Sequence, residues 1–287
     1  MKEFKSFFKT VNGNEGTLCH YSTRLDTYGC GCNNNCGYCY AKSLLDFRGL
    51  WNPVEPGIAD INKIKKVIEK KLTPGDIVRL GGMTDCFQKF EQDNHITYET
   101  IKLLNERGVH YLIVTKNADL ISSDEYVNVL DKKLAHIQIS ITNTDEELGK
   151  RIEPGAPSYV EKIRGAEKLQ SLGFDVAVRL SPYIQSFVNI DIINNIKCDK
   201  ILIEFLRVNT WIKKWLTNLN APIDLSEYSL RSNGYYHLPL EKKKELLSKI
   251  TGFKEVTVCE DVDEHWKYWK ENVNHNPNDC CNINYIY

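Results

Sequence analysis

Tyr159–Leu180 reads YVEKIRGAEKLQSLGFDVAVRL. Apolar residues spaced at i, i+3 and i+4 predict a helix over Tyr159–Leu172. Ser171-Leu172-Gly173 stops it, because glycine takes the left-handed conformation that closes helices. Phe174–Leu180 follows as a near-continuous apolar and β-branched run, the habit of a parallel strand covered on both faces. The same unit recurs on either side. Asp76–Leu80, Tyr111–Thr115, Ala135–Ile141 and Lys200–Leu206 read as strands, with helix-like stretches at Ile61–Lys71, Tyr98–Glu106, Asp124–Leu130 and Val188–Ile196. A first strand near Thr23–Tyr28 and a last one at Glu255–Cys259 make about six β/α units. No G-x-G-x-x-G follows the first strand, so a doubly wound dinucleotide fold lacks its fingerprint. The expectation is an α/β open or partial TIM barrel. Val208–Leu238 breaks the pattern. It carries Trp211, Trp215, Tyr228, Tyr235 and Tyr236, and reads as an insertion over the barrel mouth. The expected organisation is a barrel over 1–260, with the insertion at about 208–238, and a C-terminal extension over 261–287.

The 287 residues are 42% hydrophobic and 26% charged, an ordinary globular composition with enough apolar side chains for a core. Thirty-seven basic against 38 acidic residues leave a net charge of -1, which argues against affinity gained mainly by neutralising phosphates. A local basic groove stays open. The start, MKEFKSFFKT, has no apolar h-region or cleavage site, and no apolar run approaches the ~20 residues of a membrane helix. A soluble cytoplasmic protein with no membrane partner is expected.

Ten cysteines lie at 19, 30, 32, 36, 39, 86, 198, 259, 280 and 281. In a long chain with no leader, clustered thiols point to metal or redox chemistry rather than disulfides. Four crowd into Cys30-Gly-Cys32-Asn-Asn-Asn-Cys36-Gly-Tyr-Cys39, directly after the first strand. Cys32, Cys36 and Cys39 offer three thiolates; on a four-iron cube they leave one iron for a small chelating molecule. A zinc site that adds Cys30 is the alternative, but its spacing matches a zinc ribbon poorly.

This C-x3-C-x2-C pattern, with Tyr38 before its last cysteine, resembles the radical S-adenosylmethionine (SAM) superfamily. Further segments resemble the spore photoproduct lyase-like group, whose members are often called DNA repair photolyases. They are Cys36-Gly-Tyr-Cys39-Tyr-Ala; Gly81-Gly-Met-Thr-Asp85 with Gln88 and Glu91; Thr115-Lys-Asn117; Ser140-Ile-Thr-Asn-Thr-Asp145; Glu153-Pro-Gly-Ala-Pro157; and Arg179-Leu-Ser-Pro182. They run from about residue 20 to about residue 207 in the group's order.

The resemblance implies a [4Fe-4S] cluster on Cys32, Cys36 and Cys39, with SAM chelating the open iron. It also implies a reductant such as flavodoxin or ferredoxin. Gly81, Gly82 and Met83 would receive the SAM amino group through backbone carbonyls, an ordinary strand-to-helix turn being the alternative. Lys116 or Arg179 would meet its carboxylate, and Ser140 or Thr142 its ribose, although a plain turn or cap serves the hydroxyls nearly as well. Asp85, Gln88 and Glu91 would organise the mouth or meet substrate. Cys86 stands near the place of a hydrogen-donating thiol in the lyase, on the other side of the aspartate; a buried inert thiol is the rival.

Cys259, Cys280 and Cys281 remain. The polar tail Asn272–Asp279 offers no core for thiols, so a second iron–sulfur cluster or zinc, with Cys19, Cys30 or His275 as further ligands, competes with loose reduced thiols. Cys198 reads as a plain thiol. The substrate expected from the resemblance is nucleic acid or nucleotide-like, the insertion's aromatics either stacking a base or capping the barrel. A radical SAM enzyme acting on a peptide or small molecule is the alternative. From another class, an iron–sulfur electron-transfer or metal-sensing protein would not need an open iron.

Overall fold

A computed structural model describes residues 4–8, 19, 21–276 and 279–283. Much of the amino-terminal stretch read for a leader, and residues 284–287 of the expected extension, lie outside them. The strands are β1 (Phe7–Phe8), β2 (Arg24–Leu25), β3 (Tyr28–Gly29), β4 (Gly57–Ile58), β5 (Ile77–Leu80), β6 (His110–Thr115), β7 (Ala135–Ser140), β8 (Asp175–Tyr183), β9 (Lys200–Phe205), β10 (Leu230–Ser232), β11 (Tyr235–His237) and β12 (Glu255–Cys259). Eight of them form one sheet, in the order β1-β2-β5-β6-β7-β8-β9-β12. Only β1 is antiparallel to its neighbour; from β2 to β12 every pairing is parallel. Since the parallel strands follow chain order, each crossover adds a strand on the same side, and the sheet curls into an open, partial barrel.

The side-chain period of two splits each strand between two faces. Val78, Leu80, Tyr111, Ile113, Ile137, Ile139, Val176, Val178, Ile201, Ile203 and Val258 join the helices in the large core. Ile77, Leu112, Val114, Leu202 and Cys259 belong to a smaller cluster on the other, concave face. Arg79, Arg179 and Glu204 share that face by the same alternation, and with it the barrel interior gains charge as well as apolar surface.

The helices form where the periodicity places them: Ile61–Lys71, Ile96–Arg107, Asp124–Val129 and Tyr159–Ser171. The last begins with a capping box, Ser158 and Glu161 each satisfying the other's backbone N–H. Segment 208–238 forms a helix, Thr210–Asn218, and a hairpin of β10 and β11. The helix leans on the cysteine loop, where Asn209 bonds Ser43 at 3.1 Å and the Lys42 ammonium sits 4.6 Å from the Trp215 ring. Among the described residues, no helix is long and apolar enough to cross a membrane.

Replacing Ser158 by Ala removes one cap and half of the box, and should cost about 1 kcal/mol. Urea unfolding checks this; an unchanged midpoint would show that the helix start is held by packing alone.

Candidate active site

A cavity of about 230 Å³ opens on the concave face at the carboxyl ends of the parallel strands. Cys32, Cys36 and Cys39 stand on its wall, as do Tyr38, Gly81, Gly82, Met83, Lys116, Ser140 and Arg179. Cys30 is not on the wall. Its backbone turns through a φ of 56° and its carbonyl accepts from Asn52 at 2.8 Å. Of the four loop cysteines only Cys32, Cys36 and Cys39 therefore face the cavity, which disfavours the zinc reading that adds Cys30.

The loop that carries them is clamped from three sides. Asn35 N–H donates to the Cys32 carbonyl and Cys39 N–H to that of Cys36, so each thiol leaves from a tight turn. Cys39 caps the helix Tyr40–Leu45, its sulfur accepting from Lys42 N–H at 3.4 Å. From one flank, Asp85 accepts from the Asn34 amide (3.0 Å), the Thr115 hydroxyl (2.6 Å) and the backbone N–H groups of Phe87 (2.9 Å) and Lys116 (2.8 Å). Gln88 accepts from Asn33 N–H at 3.1 Å. From the other flank comes Glu153-Pro154-Gly155, where a Cβ on Gly155 would lie 1.8 Å from the Asn33 carbonyl oxygen. Only glycine lets the two backbones pass that closely.

Glu153 is the hub. Its carboxylate is 2% exposed and accepts from the Lys162 ammonium at 2.6 Å, from Lys116 at 3.2 Å and from the Asn143 amide at 3.3 Å. The Tyr38 and Thr142 hydroxyls reach it too. This relocates several expected roles. Thr142 is off the cavity wall and spends its hydroxyl on Tyr38 and Glu153. Lys116 reaches the wall but is paired with Glu153, its ammonium 5.5 Å from the Tyr38 ring centre. Burial lowers its pKa to about 8. Arg179 is held by Glu204 at 2.6 Å and Gln138 at 2.7 Å. Ser140 alone of the two expected ribose contacts lines the cavity.

Gly81 turns through a φ of 78°, and a Cβ there would lie 2.5 Å from the Val114 carbonyl oxygen. Gly82 N–H donates to Asp26 at 2.9 Å, and the Tyr40 hydroxyl donates to the Gly82 carbonyl. The glycine pair is thus a close-packed turn as well as cavity wall. Burial pushes the Asp26 carboxyl up to about 6, against the N–H of Gly82 and the charge of Arg24.

Glu91 and Cys86 require correction. Glu91 is wholly buried, accepting from the hydroxyls of Tyr28 (2.6 Å) and Tyr126 (2.5 Å) and from Thr97 N–H (2.9 Å) and Tyr98 N–H (2.8 Å). It pins the start of the helix Ile96–Arg107 and meets no cavity. Cys86 is 1% exposed in the helix-side core and off the cavity wall. Its sulfur lies behind the wall against Gly81, 3.5 Å from where a Cβ on that glycine would stand.

Sequence reasoning missed Asp26, Tyr40, Trp51, Glu204 and Arg207. Trp51 lines the cavity, and its buried indole N–H has no hydrogen-bond partner. Arg207 also lines it, bonded to Asp261 at 3.1 Å, with its guanidinium 5.5 Å from the Tyr40 ring and 5.6 Å from Tyr235 of the inserted hairpin. The inward phase of β9 foretold Glu204; nothing local marks the others.

The three thiols fit an iron–sulfur cube with one iron left open, and the orphaned indole N–H beside them fits a polar ligand in the same space. Comparison with known proteins agrees. Residues 27–193 match the Radical SAM superfamily. An uncharacterized protein of Methanocaldococcus jannaschii is 27% identical over 170 residues, 57% of this chain and 61% of the relative, so the match spans less than two thirds of that relative's length. Spore photoproduct lyase with bound AdoMet and a dinucleoside spore photoproduct superposes with a TM-score of 0.60 at 15% identity, covering 84% of this chain and 77% of the lyase. A lyase variant superposes with a TM-score of 0.61 at 15% identity, over 90% and 79% of the two chains.

Two outcomes follow from the geometry. Glu153→Ala strands two buried ammonium groups and should cost about 3–5 kcal/mol, with loss of the iron held by the loop. Urea unfolding and iron content check it; full iron at wild-type stability would contradict the hub. The second concerns pH. Because the folded pKa of Asp26 lies above its ordinary value, its contribution is present below about pH 4 and lost as pH rises through about 6. Wild type should therefore lose stability relative to Asp26→Asn across that window, at up to about 1.4 kcal/mol per pH unit. A flat difference would contradict the burial argument.

The family match across 27–193 and the three-thiol cavity wall converge: the chain belongs to the Radical SAM superfamily, whose members work with a [4Fe-4S] cluster and SAM.

Proposed function

We propose that this radical SAM enzyme holds its cluster on Cys32, Cys36 and Cys39, seats SAM against Gly81–Met83, and takes a hydrogen atom from a nucleic-acid or nucleotide-like substrate. The observation that carries the proposal is that these three thiols, without Cys30, share one cavity with the Gly81-Gly82-Met83 turn and with three arginines, Arg79, Arg179 and Arg207. Cys32, Cys36 and Cys39 would hold a [4Fe-4S] cluster there, and when bound and reduced it would supply the one-electron chemistry that cleaves SAM to methionine and a 5′-deoxyadenosyl radical.

The chain's own residues do the positioning. Glu153 and Asp85 hold the cysteine loop from both flanks. Tyr40 and Asp26 fix the Gly82 peptide. Trp51 offers an indole donor inside the cavity. Burial pushes the Cys36 thiol well up, and the positive charge that Lys116 brings to the wall opposes that shift.

Two features support a nucleotide-type substrate. The wall facing the cysteine loop carries Arg79, Arg179, Arg207, Glu204 and Asp261, and Trp266 offers a ring for stacking. Tyr235 under Arg207 brings the aromatic insertion to the rim. The shared fold with a lyase holding a dinucleoside lesion is consistent with this. Glu204 and Asp261 balance the arginines, which favours a small or locally bound nucleotide over a long polyanion. A reductant such as flavodoxin or ferredoxin would deliver the electron.

Anaerobic, reduced protein should convert SAM to 5′-deoxyadenosine and methionine, and the Cys32→Ala, Cys36→Ala, Cys39→Ala triple variant should not. Thymidine-containing dinucleotides and oligonucleotides, irradiated and not, should raise the rate at least tenfold and peptides should not. Deuterium passing from a labelled probe into 5′-deoxyadenosine would mark the abstraction site. No nucleoside product with the cluster intact would end the assignment, and stimulation by peptides alone would overturn the substrate.

A further inference from the structure

The superfamily chemistry uses three of the ten cysteines, yet a second group of thiols converges on the concave face. Cys19 comes from ahead of β2, Cys259 from the end of β12, and Cys280 and Cys281 from the C-terminal tail. All four pack with Tyr21, Ile77, Leu112, Val114 and Leu202 in one cluster. Cys280 is in hydrogen-bond contact with both Cys259 and Cys281. Cys19, Cys259 and Cys280 line the same cavity as the loop cysteines.

The tail is fastened so as to bring its thiols there. Thr257 donates to the Cys280 carbonyl at 2.7 Å, Lys200 to that of Asn282 at 3.0 Å, and Tyr21 to the Asp279 carboxylate at 2.6 Å. Asp279 in turn accepts from the backbone N–H groups of Cys281 and Ile283, each at 3.0 Å. Four thiols from three distant segments are far more than packing of a polar tail requires.

We propose that Cys19, Cys259, Cys280 and Cys281 ligate a second iron–sulfur cluster on the far wall of the SAM cavity. Spacing separates this from zinc. A tetrahedral zinc with bonds of about 2.3 Å draws its sulfurs to about 4 Å of one another. Among the described residues, the one three-donor group with all its atoms within 4.8 Å is His237, Glu260 and Asp261. No three of the four thiols fall together within that distance, and neither do Cys32, Cys36 and Cys39. The His237 group itself is already neutralised, with Glu260 on Lys243 at 2.5 Å and Asp261 on Arg207 at 3.1 Å. Four protein thiolates leave no iron open, so this cluster binds no SAM. Ligation also ties the tail into the barrel, an ordering that apolar contact in so polar a segment supplies poorly.

The site is tested apart from the proposed activity. Anaerobically reconstituted wild type should hold about eight irons per chain, and the Cys32→Ala, Cys36→Ala, Cys39→Ala variant about four. Adding Cys280→Ser and Cys281→Ser to that variant should remove the remainder, with circular dichroism reporting a folded chain. In the unaltered protein, Mössbauer spectra should resolve two cluster populations, of which SAM perturbs one. A folded triple variant without iron, one zinc per chain in place of iron, or a single population in wild type would overturn the proposal.

Discussion

One buried carboxylate, Glu153, holds together the parts on which the site depends. Taking a carboxylate and two ammonium groups out of water costs several kcal/mol for each ion unless every lone pair is met. Here the cost is offset by five donors from four separate elements: Tyr38 in the cysteine loop, Lys116 after β6, Thr142 and Asn143 after β7, and Lys162 in the helix that follows. A single charge therefore sets the loop against the ends of two parallel strands. Asp85 does the same from the opposite flank. The cysteine loop is thus braced from both flanks, which is what a reactive site needs if its geometry is to be held closely.

The concave face shows how strand alternation prepares chemistry. A strand that points Val78 and Leu80 at the helices must point Ile77 and Arg79 inward. The same phase in β8 and β9 brings Arg179 and Glu204 to the interior, where they pair. The interior becomes a polar, charge-balanced wall facing a loop of thiols, and the tail lies on its lower part. Cys259 belongs to this phase as well, which is why its thiol faces the interior rather than the helices.

Much of the architecture was legible in the chain. The runs Asp76–Leu80, Tyr111–Thr115, Ala135–Ile141, Phe174–Leu180, Lys200–Leu206 and Glu255–Cys259 each contain or overlap a strand, because burial on both faces leaves a continuous apolar signature. The first strand was harder. Within Thr23–Tyr28 only Arg24–Leu25 joins the main sheet, since Asp26 turns aside to receive the Gly82 peptide. The cysteine loop was legible because its spacing is local. What was hidden were the pairings of buried charge. Nothing around Glu153 announces Lys116 or Lys162, and Glu91, expected to organise the mouth or meet substrate, is closed over by four donors. Asp85 and Gln88, read as organising the mouth or meeting substrate, and Thr142, read as a ribose contact or a plain cap, brace the cysteine loop, and choosing between those readings requires the third dimension.

The most direct test of the central claim is to ask whether SAM binds the iron that the three-thiol loop leaves open. Reduced protein would be mixed with SAM labelled with ¹⁵N in its amino group and ¹⁷O in its carboxylate, and electron–nuclear double resonance recorded on the cluster. The account predicts hyperfine coupling of both labels to the cluster, lost in the Cys32→Ala, Cys36→Ala, Cys39→Ala variant. A reduced cluster that stays intact in the presence of saturating SAM and shows coupling to neither label would contradict it.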